Sequence, residues 1–223
     1  MSTSEKILIR QARVEDLSTI VKLYFETFDE GRFLFQAGPR FLHDVFEGLI
    51  EREPELFLVA ETNGKIIGFR CATSGHYKKL FFRLVIRALK GYYDPPANAR
   101  FFLRNINFCD LVFRKSPCKA ETLMASIDSG YQGTGLASSM LMRLLQTLRA
   151  KGIRKVHSKI EVHNTRSLLS MIRNGYHPYD VANTPTGKML LLVRSLDDLQ
   201  VTPIAEEAYV KLEQQKTQLI QVP

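Results

Sequence analysis

Residues 131–141 read YQGTGLASSML: two glycines, Gly133 and Gly135, one residue apart at the head of a long apolar helical pattern. A helix N-terminus carries unpaired N–H groups and the positive end of the macrodipole, which makes it a ready anion site. Gly133 and Gly135 remove the side chains that would keep an anion from the backbone, and Ala137, Ser138 and Ser139 keep the first turn small. First turns usually favour Asp or Glu. Here no acidic residue occurs between Asp128 and Glu161, while Arg143, Arg149, Lys151, Arg154, Lys155 and Lys159 all fall in that interval. A fixed carboxylate there would compete with a bound phosphate.

Several motifs place glycines at a helix start. A P-loop needs Lys-Ser/Thr after its last glycine, and none follows. A dinucleotide fingerprint is nearly met by Gly133, Gly135 and Ser138, with Glu161 as the ribose-binding acid. Its third glycine is missing, and the chain lacks that fold's repeated strand-helix-strand units. A tight strand-to-helix turn with no ligand is a further alternative.

Outward from this loop, the chain alternates between elements. KILIRQA reads as a first strand. From Leu17, apolar residues at Ile20, Val21, Tyr24, Phe25 and Phe28 have a helical period. Pro39 suits the first turn of a helix in GPRFLHDVFEGLI. ELFLVAET and KIIGFRCAT flank Asn63-Gly64, a strong hairpin signal. AETLMASI is a further strand, and the glycine loop leads into a helix over 135–151 that ends at Gly152. RKVHSKIEV reads as a strand, NTRSLLSMIRN as a helix ending at Gly175, and GKMLLLVRS as a last strand. Residues 1–200 are expected to form one domain, with 201–223 a polar C-terminal helix or tail.

The 223 residues are 45% hydrophobic and 24% charged, enough for one domain with a sizeable core. The net charge of +8 favours an anionic partner. The basic residues form no nucleic-acid-binding motif, so none is expected to be bound. Cys71, Cys109 and Cys118 are odd in number and lack C-x-x-C spacing, so reduced thiols, a cytoplasmic setting and no metal site are expected. No stretch approaches the roughly 20 apolar residues of a membrane span.

Residues 76–117 interrupt the alternation with a helical, aromatic and basic insertion. In HYKKLFFRLVIRALKGYY, Lys79, Arg83 and Arg87 recur every four residues and share one helix face beside a broad apolar surface. Such a segment could extend the core, act as a lid over an anionic ligand, or lie on an anionic membrane surface.

Gln132-Gly133-Thr134-Gly135-Leu136-Ala137 resembles Q/R-x-x-G-x-G/A, the pyrophosphate loop of the GNAT N-acetyltransferase superfamily. The ordered strand, loop, helix, strand and helix from Ala120 to Pro178, with the hairpin before them, resemble that family's core. The resemblance implies an α/β (α+β) fold. Its sheet would be mixed, mostly antiparallel and flanked by helices, with the insertion between strands 3 and 4. It implies acetyl-CoA as co-substrate, held by Gln132 to Ala137, by the splayed strand positions Ala125, Ser126 and Ile127, and by Asn164. Asn164 equally suits an N-cap. A backbone N–H near Ile127 would steady the oxyanion, and Glu121 is the expected base, acting on a small-molecule amine. Asp29 and Glu30 could bind a cationic acceptor or face solvent. The insertion is similar to that of a bacterial subgroup associated with polysaccharide and amino-sugar modification. One departure is plain: Met171 stands where the family often carries a general-acid Tyr. A non-catalytic acyl-CoA-binding or partner-binding module of the same fold is the alternative.

Overall fold

Ile7 and Ile9 alternate with more exposed neighbours along Lys6–Gln11, the first strand, β1. That period of two buries one face, as expected for a strand covered on one side. Leu17–Thr27 forms α1, Phe33–Ala37 α2 and Pro39–Arg52 α3, with Pro39 at the first helical position. Asn63 and Gly64, with φ of 50° and 75°, then turn β2 (Phe57–Thr62) back onto β3 (Lys65–Thr73). Two consecutive positive φ values define the tight turn whose twist suits a hairpin. Tyr77–Leu89 is α4 and Ala120–Ile127 is β4. The glycine loop leads into α5 (Leu136–Ala150), followed by β5 (Lys155–Glu161) and α6 (Thr165–Arg173). The remaining strands are β6 (His177–Thr184), β7 (Gly187–Ser195) and β8 (Ala208–Lys211). The structure is a computed structural model that describes residues 6–28, 30, 32–75, 77–93, 116–184, 187–199 and 208–211. Asp29, Cys109 and residues 94–115 of the expected insertion lie outside them.

The strands form one eight-stranded sheet in the order β6-β7-β5-β4-β3-β2-β1-β8. Every pairing is antiparallel except β4 with β5. This is the mixed, mostly antiparallel sheet that the sequence implied. One layer of core lies between the sheet and α1 to α4, centred on Phe41, Phe46, Phe57 and Phe69. A second lies under α5 and α6, with Leu141, Leu144, Leu148 and Tyr176.

Helix α4 belongs to the first layer. Leu80, Phe81, Leu84 and Ala88 are buried, and Leu80 sits against Gly48 of α3 so closely that a Cβ there would come within 2.6 Å. Each buried Leu or Phe contributes about 1.5–3 kcal/mol, so the first part of the insertion extends the core. Lys79, Arg83 and Arg87 do lie exposed along one face. Arg87 also reaches back to α3, 3.1 Å from Asp44 Oδ2, and its guanidinium lies 3.9 Å over the Tyr92 ring.

Two strands depart from expectation. The C-terminal segment was expected as a helix or tail, yet Ala208–Lys211 is a strand paired antiparallel with β1. The exposed edge of β1 offers unpaired backbone groups, and Tyr and Val suit a ladder better than their polar surroundings suggest. Strand β6 has no apolar alternation and carries Pro178. It forms at the other edge of the sheet, where proline is tolerated and one face stays wet. Among the described residues no helix is long and apolar enough to cross a membrane.

Candidate functional site

Among the described residues the one parallel pair, β4 with β5, is short. Its register runs Ala120↔Val156, Glu121↔His157 and Thr122↔Ser158, and then stops. Beyond that point β4 stays paired with β3, and β5 with β7. The two strands therefore part in a V that opens toward the glycine loop. Asp128 N–H donates to Ile67 O at 2.8 Å, which fixes the alternation along β4. The amides of Ser126 and Asp128 point to β3, and those of Ala125 and Ile127 point into the V. Ile127 C=O accepts from Gln132 Nε2 at 3.0 Å, so the loop side chain caps the open edge. Gln132 Oε1 in turn accepts from Arg166 Nη1 on α6.

The loop is built as its glycines suggested. Gly133 and Gly135 have φ of 81° and 85°, and a Cβ at either would meet nothing within 4 Å. Positive φ, not lack of room, is what selects glycine here. Gly135 is the N-cap of α5, and no acidic side chain lies in that first turn. Thr134 Oγ1 donates to Tyr131 O at 2.6 Å. Leu136 is buried under the helix, while Ala137 is partly exposed. Asn164 caps α6: its Oδ1 accepts from Ser167 N–H at 3.2 Å.

On the α1–α4 side of the vertex lies a buried charged cluster. Glu121 Oε1 is 2.8 Å from Lys159 Nζ, and Glu121 Oε2 is 3.4 Å from His157 Nε2. Burial lowers the His157 pKa below its ordinary value, with Glu121 opposing and Lys159 and Lys78 adding to the fall. The imidazole is therefore neutral near pH 7, and its Nδ1 has no hydrogen-bond partner among the described residues. Farther along the same face of β5, Glu161 pairs with Arg32 from the α1–α2 connection at 2.6 Å. Thr27 Oγ1, at the end of α1, lies 2.7 Å from Ser126 Oγ. Ser126 thus presents its side chain to α1 and its amide to β3, and does not open its backbone into the V as expected. The reason is the period of the strand. Glu30 is exposed and joins no part of this cluster.

On the opposite face sits Arg70 of β3, in register with Ala125. Its Nη1 donates to Ala137 O at 3.2 Å and its Nη2 to Met171 Sδ at 3.3 Å. Met171 is buried on α6. Tyr176 is fully buried nearby, its hydroxyl 3.4 Å from Thr122 Oγ1, and burial pushes it up to about 12.

Residues 17–176 match the acetyltransferase (GNAT) family. The chain belongs to that family. As a GNAT protein it is an acetyl-CoA-dependent N-acetyltransferase, with acetyl-CoA as co-substrate. No curated protein sequence matches it significantly. Solved structures share its fold at low identity. Ard1 from Thermoplasma volcanium is 12% identical at a TM-score of 0.57, covering 85% of this chain and 97% of its own. An N-acetyltransferase from Staphylococcus aureus Mu50 is 17% identical at 0.56, covering 85% and 98%. The PaiA N-acetyltransferase from Thermoplasma acidophilum, in complex with coenzyme A, is 14% identical at 0.55, also covering 85% and 98%.

The described geometry includes a bare glycine loop before α5 and β4 amides that face the V. A shallow depression lined by Ser74, Cys118, Gly152, Arg154 and Asp197 lies at the other end, where β4 and β5 begin. It holds none of the expected site residues. Arg70, His157, Lys159 and Arg32 are not among the residues expected from sequence. Two signals were there: His157, Lys159 and Glu161 alternate in one strand, and Arg70 interrupts an otherwise apolar one.

Proposed function

We propose that this GNAT protein acetylates the primary amine of a small molecule, an amino sugar or a nucleotide-linked amino sugar, the second of which carries anionic phosphates. The observation that carries the reading is the Glu121–Lys159–His157 cluster at the vertex of the V, on the face opposite Arg70 and α5. A proton-handling group at that point can serve an amine that approaches from the α1–α4 side. Acetyl-CoA supplies the acetyl group as a reactive thioester.

Gln132 to Ala137 hold the pyrophosphate with backbone N–H groups, and the N-terminus of α5 adds its dipole. Ala125 and Ile127 offer backbone groups to the pantetheine arm, and the N–H near Ile127 steadies the oxyanion. Ser126 contributes by fixing α1 against β4 through Thr27. Asn164 holds the first turn of α6 beside the cofactor. Glu121 Oε2 accepts the amine's proton, directly or through one water, and Lys159 keeps the carboxylate in place. Holding both reactants in line supplies much of the acceleration.

The acceptor class is supported by charge. Lys78, Lys159 and Arg32 outnumber Glu121 and Glu161 around the α1–α4 face of β5, and Lys78 brings the N-terminus of α4 to the same place. This favours the insertion as a cover over an anionic acceptor. The test is release of free CoA thiol from acetyl-CoA, with amino sugars, sugar nucleotides, polyamines and peptides offered in turn. Release with a sugar-nucleotide amine and not with polyamines supports the reading. Tight acetyl-CoA binding without release for any amine would replace it with a non-catalytic binding module.

A further inference from the structure

Arg70 is a buried cation with no carboxylate partner among the described residues. Its side chain is 8% exposed residue-wide, it joins no ion pair, and its Nε lacks a hydrogen bond. Such a group is expensive. An uncompensated buried charge ordinarily forfeits several kcal/mol, and the two partners that it does have are weak for the purpose. One is a neutral carbonyl, Ala137 O, and the other a thioether, Met171 Sδ. Burial accordingly opposes its charged form, with only the neutral Tyr176 and Cys71 near enough to act on it electrostatically. A guanidinium nevertheless stays protonated at any working pH.

Its position explains what a charge could do there. On β3 it stands in register with Ala125 of β4, and its side chain rises to the helix layer that covers this face. The guanidinium ends between the first turn of α5 and Met171 of α6, on a strand whose register partner, Ala125, has its amide turned to the V. Met171 has no proton to give. Tyr176 is fully buried, faces Thr122 and is pushed up to about 12 by burial, so it is a poor donor near pH 7. Neither Met171 nor Tyr176 is a ready acid for a leaving sulfur.

We propose that Arg70 is the site's catalytic cation, stabilising the departing CoA sulfur as a thiolate by charge instead of by proton donation. In the transfer, the amine nitrogen bonds to the acetyl carbon and the carbon–sulfur bond breaks, its electron pair leaving on sulfur. The amine's proton goes to Glu121 or through it to solvent. Arg70 keeps its own protons throughout, and the thiolate takes one from solvent after release. The missing counter-ion is thus the product itself. This rests on the acetyltransferase reading of the V, and deepens it.

The test is the acidity of the CoA thiol when bound, followed by ultraviolet thiolate absorbance against pH in wild type and in Arg70→Met. The Met variant fills the volume without charge, and removing an unpaired buried cation should leave Tm unchanged or raise it. In wild type the bound thiol should be about 10- to 1,000-fold more acidic than in free CoA, the range for an opposite charge at close approach. In Arg70→Met it should return to the free value, with the affinity for CoA lacking its sulfur unchanged. Equal acidity of the bound thiol in both proteins would overturn the proposal. So would a fall in Tm with the acidity kept, which would make Arg70 a structural tether. Absence of CoA binding to wild type would instead remove the reading of the V, and this proposal with it.

Discussion

Glu121 and Lys159 meet at 2.8 Å one residue inside the point where β4 and β5 part, each nearly enclosed by protein. Removing one partner of such a pair leaves the other charge buried, which costs about 3–5 kcal/mol. Glu121→Gln should therefore lose both stability and rate, and the two losses can be separated. In Glu121→Gln with Lys159→Met the stranded ammonium is gone, so most of the stability should return. The kcat should stay about 100- to 10,000-fold low, the range for loss of a general base. Urea melts and steady-state kinetics on the single and double variants check this. A rate that returns together with the stability would show that Glu121 only holds the sheet.

Gly135 stands at positive φ with open space where a side chain would go. Gly135→Ala carries only backbone strain, about 1–2 kcal/mol. Its affinity for CoA should fall by less than about tenfold. Gly135→Glu adds a negative charge at the proposed phosphate cradle. A like charge there costs several kcal/mol, so binding should weaken about 100-fold or more beyond the Ala variant. Calorimetry on the two folded variants gives the comparison, and equal affinities would place the pyrophosphate elsewhere.

The stripe on α4 divides into two kinds of residue. Arg87 is tied to Asp44, whereas Lys79 and Arg83 lie farther out along the exposed face. Arg87→Glu puts a like charge beside Asp44 and should lower Tm by about 2–4 °C, equivalent to about 1 kcal/mol in a chain of this size. Reversing Lys79 and Arg83 to Glu should leave Tm alone and raise the KM of an anionic acceptor without changing that of acetyl-CoA. Loss of binding to vesicles of anionic lipid, with kinetics intact, would assign the stripe to a membrane surface.

The parts of this molecule legible in the sequence are those written in local chemistry. Asn63-Gly64 announces the hairpin, and Gly133, Gly135, Gly152 and Gly175 mark backbone turns that need positive φ. The V could be placed only by resemblance, because the point where two parallel strands separate depends on what each pairs with on its far side. Edge strands β6 and β8 escaped because they bury too little to show a period. The signal of Arg70 misled for a different reason. In KIIGFRCAT a charged residue looks like the solvent-facing position of a half-buried strand. Only the second layer of core, under α5 and α6, reveals that both faces of β3 are covered.

His157 gives a pH dependence whose direction follows from burial. The folded protein holds its imidazole below the ordinary value of 6.5, and Glu121 only partly offsets the effects of burial, Lys159 and Lys78. In the unfolded chain the same imidazole titrates at about 6.5. Below that pH the unfolded state binds one proton more than the folded state. The stability linked to His157 is thus fully present above about pH 6.5 and declines as pH falls toward the folded value, by at most about 1.4 kcal/mol per unit. Unfolding free energies at pH 7.5, 6.5 and 5.5, values chosen to bracket the ordinary imidazole range of about 6.5, should show the decline in wild type. His157→Gln keeps a polar side chain of similar reach but cannot titrate. Its profile over the lower interval should be shallower, by at most about 1 kcal/mol, whatever the other histidines contribute to both proteins. A steeper profile in the variant would mean that Glu121 outweighs burial and that His157 is protonated in the folded enzyme. The cluster at the vertex would then carry two cations on one carboxylate, and Glu121 could not serve as the base.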